Sequence, residues 1–308
     1  MKYRIRHVTH YEYEHKVSAC YNRAQLLPRE TPFQLVSTPR VVIHPTPSQG
    51  NRRIDYFGNR AYYFSIQEPH DTLSIQVTTE ITCKAERIDI NKQLEYGNTC
   101  EQVLALLNDP RGNVETLYAR EFRLDSPMIK ASDSLREYAK GCFPPDKPFL
   151  TAVTDLSHKI YHEFEFESGA TTVATPIEEV MAQRRGVCQD FAQVAIGCLR
   201  SLGYAARYIS GYLETLPPPG EKRLQGVDAS HAWFSVYSPG EGWFEFDPTN
   251  DSIPAYQHLV TAWGRDYSDV SPLRGVFFGG GGQKLAVSVD VERFETNRKE
   301  DLPVTQRS

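Results

Sequence analysis

An α+β fold is what this sequence predicts, and three observations predict it. Residues 1–88 carry the period-two alternation of strands, residues 101–202 carry helical spacing, and strand-like runs return from Ala206 onward. A doubly wound fold would instead alternate strand and helix along its length. The arrangement expected is an antiparallel β-domain, then helices, then a second set of strands.

Taken in order, Tyr3, Ile5, His7 and Thr9 alternate with charged or polar neighbours, as do Leu73, Ile75 and Val77. Val41-Val42-Ile43 is a short buried run. Pro45-Thr46-Pro47 and Pro69-His70-Asp71 are turn signals, and Gly58-Asn59 reads as a hairpin tip. Short strands at this spacing suggest a small antiparallel sandwich. Glu101–Leu107, Val114–Glu121 and Ser132–Tyr138 then have helical spacing. Phe149–Phe164 is longer, with Leu150, Val153, Leu156, Ile160 and Tyr161 on one face. Thr175-Pro176-Ile177-Glu178 has the order of a helix start: a threonine cap, proline at the first position, and glutamate closing a capping box.

The next helix begins at Cys188. Phe191, Val194, Ala195, Ile196, Cys198, Leu199 and Leu202 make it apolar almost all round, as a central buried helix is, and Gly203 ends it. Ala206–Leu213, His231–Tyr237, Gly242–Phe246 and Lys284–Val291 are the strands that follow. Pro217-Pro218-Pro219-Gly220 reads as an exposed, mobile loop. Gly279–Gly282 reads as a flexible link without the lysine of a phosphate loop. On this reading residues 1–90 are the β-domain, 91–295 the α+β core and 296–308 a frayed tail.

Composition narrows the function. At 308 residues, 40% apolar and 24% charged, the chain holds one large or two ordinary globular domains. A net charge of −5 gives no global attraction for nucleic acid. No apolar run has the length of a membrane span, and none follows the charged start Met1–His7 as a secretory signal would require. We therefore expect no membrane partner and a cytoplasmic location. The six cysteines are scattered, with no CxxC pair to suggest a zinc knuckle or redox motif. Cys188 and Cys198 would lie about 15 Å apart along one helix, too far for a disulfide. Free thiols fit a reducing compartment.

Three segments carry chemistry: Arg185-Gly186-Val187-Cys188-Gln189-Asp190-Phe191, Ser230-His231-Ala232-Trp233, and Phe246-Asp247-Pro248-Thr249-Asn250. A cysteine at a helix start meets unpaired N–H groups and the positive end of the helix dipole, and a neighbouring imidazole adds a second stabilising charge. The small Gly186 permits a tight turn and close substrate approach. The plain alternative is a buried core cysteine, which suits Cys198 and Cys83 better than a residue flanked by Gln189 and Asp190. His231, Trp233 and Ser235 share one strand face. Asp247 stands at a strand end before a proline, either beside the imidazole or as the first residue of an Asx-turn.

Secondary candidates follow. Asp190 either positions the site or serves the first helical turn. Arg265, Asp266 and Asp269 read as a structural ion-pair network. His158 and His162 stand four apart on a helix, a spacing that can bind metal. No third ligand lies nearby in sequence, and Glu163 does not complete HExxH, so we expect neither metal nor other cofactor.

Jointly these pieces resemble the bacterial transglutaminase-like cysteine protease family of the papain-like superfamily. The resemblance rests on Thr171–Pro176, Arg184–Ala192, Leu199–Tyr208 with Ser210–Leu213, Asp228–Trp233, Asp247–Asn250 and Gly264–Gly275, and on Tyr3–Tyr13 for the family's β-rich leading domain. It implies a papain/transglutaminase-like α+β core, the cysteine helix packed on an antiparallel sheet, with Cys188 as nucleophile, His231 as general base and acid, and Asp247 as orienting carboxylate. It also implies a peptide or protein amide substrate. A peptidase or amidase acting through a thioester is the expected activity. The alternatives are a protein-glutamine transglutaminase, which differs only in the acyl acceptor, and a binding scaffold that keeps the triad without using it. A metalloenzyme is a third option. The sequence leaves the second oxyanion donor, beside the Cys188 N–H, unassigned.

Overall fold

β1 (Lys2–Leu27) is a strand of 26 residues, and the rest of the first sheet is organised around it. The computed structural model describes residues 1–84, 90–214 and 230–294, so the Pro217–Gly220 loop and the 296–308 tail lie outside the described residues. After β1 come β2 (Gln34–Val36), β3 (Arg40–His44), β4 (Gln49–Ile54), β5 (Arg60–Ile66) and β6 (His70–Cys83). β5 pairs with Cys20–Leu27 and β6 with Lys2–Val17, both antiparallel. Together they follow β1 along most of its length. β2 and β3 then add to β6, and β4 adds to β5 through the hairpin at Gly58-Asn59. Val17, Cys20 and Ala24 share one buried cluster with Ile43, Phe64, Ile66 and Leu73, so strands from both halves of β1 close over the same core.

Helices follow: α1 (Ile90–Tyr96), α2 (Cys100–Asn108), α3 (Val114–Ala119), α4 (Asp133–Ala139) and α5 (Phe149–Glu163). α5 buries Leu150, Val153, Leu156 and Ile160 as the spacing predicts, but Tyr161 faces solvent. The short β7 (Glu165–Phe166) pairs in parallel with β8 (Arg185–Gly186), and α6 (Ile177–Gln183) lies between them. α6 starts one residue later than its sequence suggests. Thr175 Oγ1 accepts the Thr172 N–H at 2.9 Å, so the threonine closes a turn of its own and does not cap the helix.

α7 (Cys188–Ser201) packs against the second sheet, which runs in the order β11 (Gly242–Phe246), β10 (Ser230–Ser238), β9 (Ala206–Leu213) and β12 (His258–Gly264). Ala232, Phe234 and Val236 join the α7 side chains in the largest core cluster. His231 and Trp233, at the alternate positions, face the other way, and Trp233 belongs to a separate cluster. The short helix α8 (Tyr267–Val270) follows β12.

The chain then returns to the first sheet. β13 (Leu273–Gly279) pairs with Val17–Ala24 and β14 (Gln283–Phe294) with Lys2–Tyr13. This corrects the division into 1–90 and 91–295, because the last strands complete the N-terminal sheet. It also corrects the placing of Lys284–Val291 beside the core strands. Gly279–Gly282 is a bulge in a nearly continuous β13–β14 run. Gly279, Gly280 and Gly281 have φ of 93°, 88° and 64°, and the Glu14 and His15 N–H groups donate to the Gly282 and Gly280 carbonyls, each at 2.9 Å.

Two devices join the sheets. Tyr3, Ile5, Val289 and Val291 pack on Tyr212 and Leu259. The outer edge of β12 is covered by side-chain amides that stand in for a neighbouring strand. Gln34 accepts the Val260 N–H at 3.0 Å and donates to its carbonyl at 2.8 Å. Asn59 does the same for Trp263, at 3.0 and 2.8 Å. The edge that would otherwise expose unpaired backbone is thus fixed by the N-terminal region.

Candidate active site

Cys188 is the first residue of α7 and is half-buried. Its backbone N–H belongs to the helical turn that has no intrahelical acceptor. The turn before it is held by Asp190, whose Oδ2 accepts the Val187 N–H at 2.8 Å and the Thr171 hydroxyl at 2.6 Å. Burial pushes this carboxyl up, and those two bonds oppose the shift. The role of Asp190 is thereby resolved toward the first turn. Gly186 has a reason other than substrate approach: a Cβ there would lie 2.6 Å from Asp190 Oδ2.

His231 is the second residue of β10, and Asp247 follows the end of β11. The strands are antiparallel, with Phe234 opposite Phe246, so the imidazole and carboxylate meet where the pair runs out. His231 Nε2 lies 2.7 Å from Asp247 Oδ2. The Cys188 side chain is close enough to the ring to act on its charge. Burial alone would lower the His231 pKa. The hydrogen bond to Asp247 and its negative charge, with a contribution from the neighbouring Cys188 side chain, outweigh it and raise the value from 6.5 to about 10. The structure therefore brings Cys188, His231 and Asp247 together.

Asp247 has no exposed surface, and its two oxygens do different work. Oδ1 accepts the Thr249 N–H at 3.0 Å and the Asn250 N–H at 3.3 Å, which is the Asx-turn reading of Asp-Pro-Thr-Asn. Oδ2 accepts from His231, from His258 Nε2 at 2.9 Å and from Asn250 Nδ2 at 2.7 Å. Burial by itself would raise this carboxyl. The two imidazole hydrogen bonds, the imidazolium charge and the Asn250 amide overcome it and hold the group well below the usual carboxylate range.

Sequence reasoning missed His258, Asn250 as a side-chain donor, and the packing role of Trp233. His258 opens β12, a strand buried on both faces and so without the alternation that marks a strand in sequence. The Trp233 indole lies near-parallel to His231 at 5.9 Å between centroids and edge-on to His258 at 5.2 Å. Its N–H donates to Glu245 at 3.0 Å, so the ring is fixed beneath both imidazoles.

Arg265, Asp266 and Asp269 are structural. Arg265 makes a two-pronged pair with Asp269 at 2.9 and 3.0 Å, and buried Asp266 caps α8 and accepts the Met128 N–H at 2.8 Å. His158 and His162 stand at the surface of α5, and a third group has joined them: Asp251 Oδ2 lies 2.7 Å from His158 Nδ1. All six cysteines are free, and no helix among the described residues is long and apolar enough to cross a membrane.

Comparison with known proteins supplies the context. Residues 3–82 match the family model of the bacterial transglutaminase-like N-terminal region, and residues 136–248, which span Cys188, His231 and Asp247, match that of the transglutaminase-like superfamily. An uncharacterised protein of Mycobacterium tuberculosis is 39% identical over 300 residues, covering 96% of this chain and 93% of its own. A protein-glutamine gamma-glutamyltransferase of Pseudomonas aeruginosa is 35% identical over 72 residues, 23% of this chain and 11% of its own. In solved structures, a candidate cysteine protease of Cytophaga hutchinsonii superposes with a TM-score of 0.76 at 24% identity, covering 97% of this chain and 92% of that one, which establishes a shared fold.

Proposed function

Since this chain belongs to the transglutaminase-like superfamily, whose members are typically cysteine-dependent enzymes, we propose that it cleaves an amide or isopeptide bond through a thioester on Cys188. The observation that carries the reading is the wholly buried Asp247 carboxylate hydrogen-bonded to His231 at 2.7 Å, next to the cysteine that opens α7. A structural cysteine has no use for an imidazolium, and a buried ion pair costs desolvation that a scaffold would gain nothing from.

In the reaction, the Cys188 sulfur, with His231 as the acceptor of its proton, attacks the carbonyl carbon. The carbonyl oxygen takes the negative charge near the Cys188 N–H at the positive end of α7. As the C–N bond breaks, the imidazolium gives its proton to the departing nitrogen. Asp247 keeps the ring oriented and stabilises its charge throughout. An incoming nucleophile then returns a proton to His231 and splits the thioester. Water gives hydrolysis and an amine gives transfer. The site has the same parts for both, and we favour water. The short match to a glutamyltransferase keeps transfer as the second reading.

A glutamine peptide incubated with a labelled primary amine separates the two. Free acid with little incorporated label is expected. Incorporation outpacing acid release would assign transfer, and neither product from a panel of peptide amides would favour the scaffold.

A further inference from the structure

We propose that His158, His162 and Asp251 form a surface site for one divalent cation of the zinc class. The donor atoms of these three side chains lie within 4.8 Å of one another. His158 and His162 are one turn apart on α5, with ring centroids 4.2 Å apart. Asp251 arrives from the connection between β11 and β12, 93 residues away in sequence, and faces His158 Nδ1 at 2.7 Å. Two imidazole nitrogens and a carboxylate oxygen suit zinc, cobalt or nickel and do not suit the all-oxygen preference of calcium or magnesium. Tetrahedral bonds of about 2.0–2.1 Å place ligand atoms about 3.3 Å apart. The His158–Asp251 pair would open by a few tenths of an ångström, and the other donors would close, by side-chain rotation at the surface. Three protein ligands leave a fourth position for water or an incoming group.

The position gives the site a consequence. Asp251 follows Asn250, whose amide donates to Asp247 Oδ2 at 2.7 Å. A cation there would fasten α5 to the turn that carries the triad carboxylate. This differs from a metal seated among His231, Asp247 and His258, whose donor atoms also lie close together but where the carboxylate oxygen already takes three hydrogen bonds.

The test is zinc titration by calorimetry and cobalt titration by visible absorption, on the full chain carrying Cys188→Ala. That substitution removes the thiol that could itself hold the metal, and binding is read without any assumption about the reaction. One equivalent of zinc is expected per chain, with affinity lowered at least tenfold by His162→Ala and by Asp251→Ala. Metal should also raise the melting temperature of the Cys188→Ala chain and not of those variants. Their unchanged melting without metal reports that they fold. No saturable binding, or binding that survives both substitutions and disappears with His231→Ala, would overturn the assignment.

Discussion

Two clusters of the same composition, two histidines and an aspartate, draw their aspartates from one turn of this protein. Asp247 and Asp251 are four residues apart, yet their surroundings differ in nearly every respect. Asp247 is wholly buried and takes five hydrogen bonds, three of them on one oxygen. Asp251 is partly exposed and pairs with a single solvent-facing imidazole. Burial strengthens each interaction of the first cluster and forces its members to satisfy one another. The second cluster keeps donor atoms open to an incoming ion. The contrast teaches that chemistry follows from desolvation and the count of donors more than from residue type.

Equal substitutions at the two aspartates test this most severely. Asp247→Asn should lower kcat by about 10⁴-fold, since the amide favours the wrong imidazole tautomer. Asp251→Asn should cost less than about tenfold and move stability by no more than about 0.5 kcal/mol, as surface changes do. Steady-state kinetics with chemical denaturation reads both. Comparable losses would erase the distinction.

His258 comes next. Truncating it removes one charge-assisted bond to Asp247, worth about 1.5–3 kcal/mol, so His258→Ala should slow turnover by about ten- to a hundredfold. His258→Gln restores an N–H donor and should recover most of the rate. A role in packing alone would show no such rescue.

The titration of the buried cluster gives a third measurement. His231 is raised from 6.5 to about 10, so its contribution to stability is full below about 6.5 and is lost as pH rises through about 10. Asp247 is depressed, so its share is present above 3.8 and is lost as pH falls below that value. Stability should decline on the alkaline side, and His231→Ala should flatten that decline. An alkaline limb unchanged by the substitution would count against the ion pair. A modest effect is expected at Asn250→Ala: about 0.5–1.5 kcal/mol of stability from the lost hydrogen bond to Asp247, read by thermal melting.

Much of the site was legible in sequence because its signals are local. A cysteine at a helix start, a strand beginning Ser230-His231-Ala232-Trp233, and Asp247 before Pro248 each describe their own surroundings. His258 and Asp251 were not legible, because each matters through a partner distant in sequence. The fold divides the same way. α5 and α7 announce themselves by spacing, whereas the return of β13 and β14 to β1 depends on pairings more than 240 residues apart, which no short-range pattern encodes. Asp247 also shows why two readings of one residue can both hold: one oxygen closes the Asx-turn and the other orients the imidazole.

The most direct measurement is the rate of iodoacetamide alkylation at each cysteine near neutral pH, read by peptide mass spectrometry. Cys142 serves as an internal control, since it is also half-buried and burial pushes its thiol up. Cys188 should react far ahead of Cys142, and His231→Ala should abolish that lead. Equal rates at the two thiols, or a Cys188 lead that survives His231→Ala, would contradict an imidazole-activated sulfur.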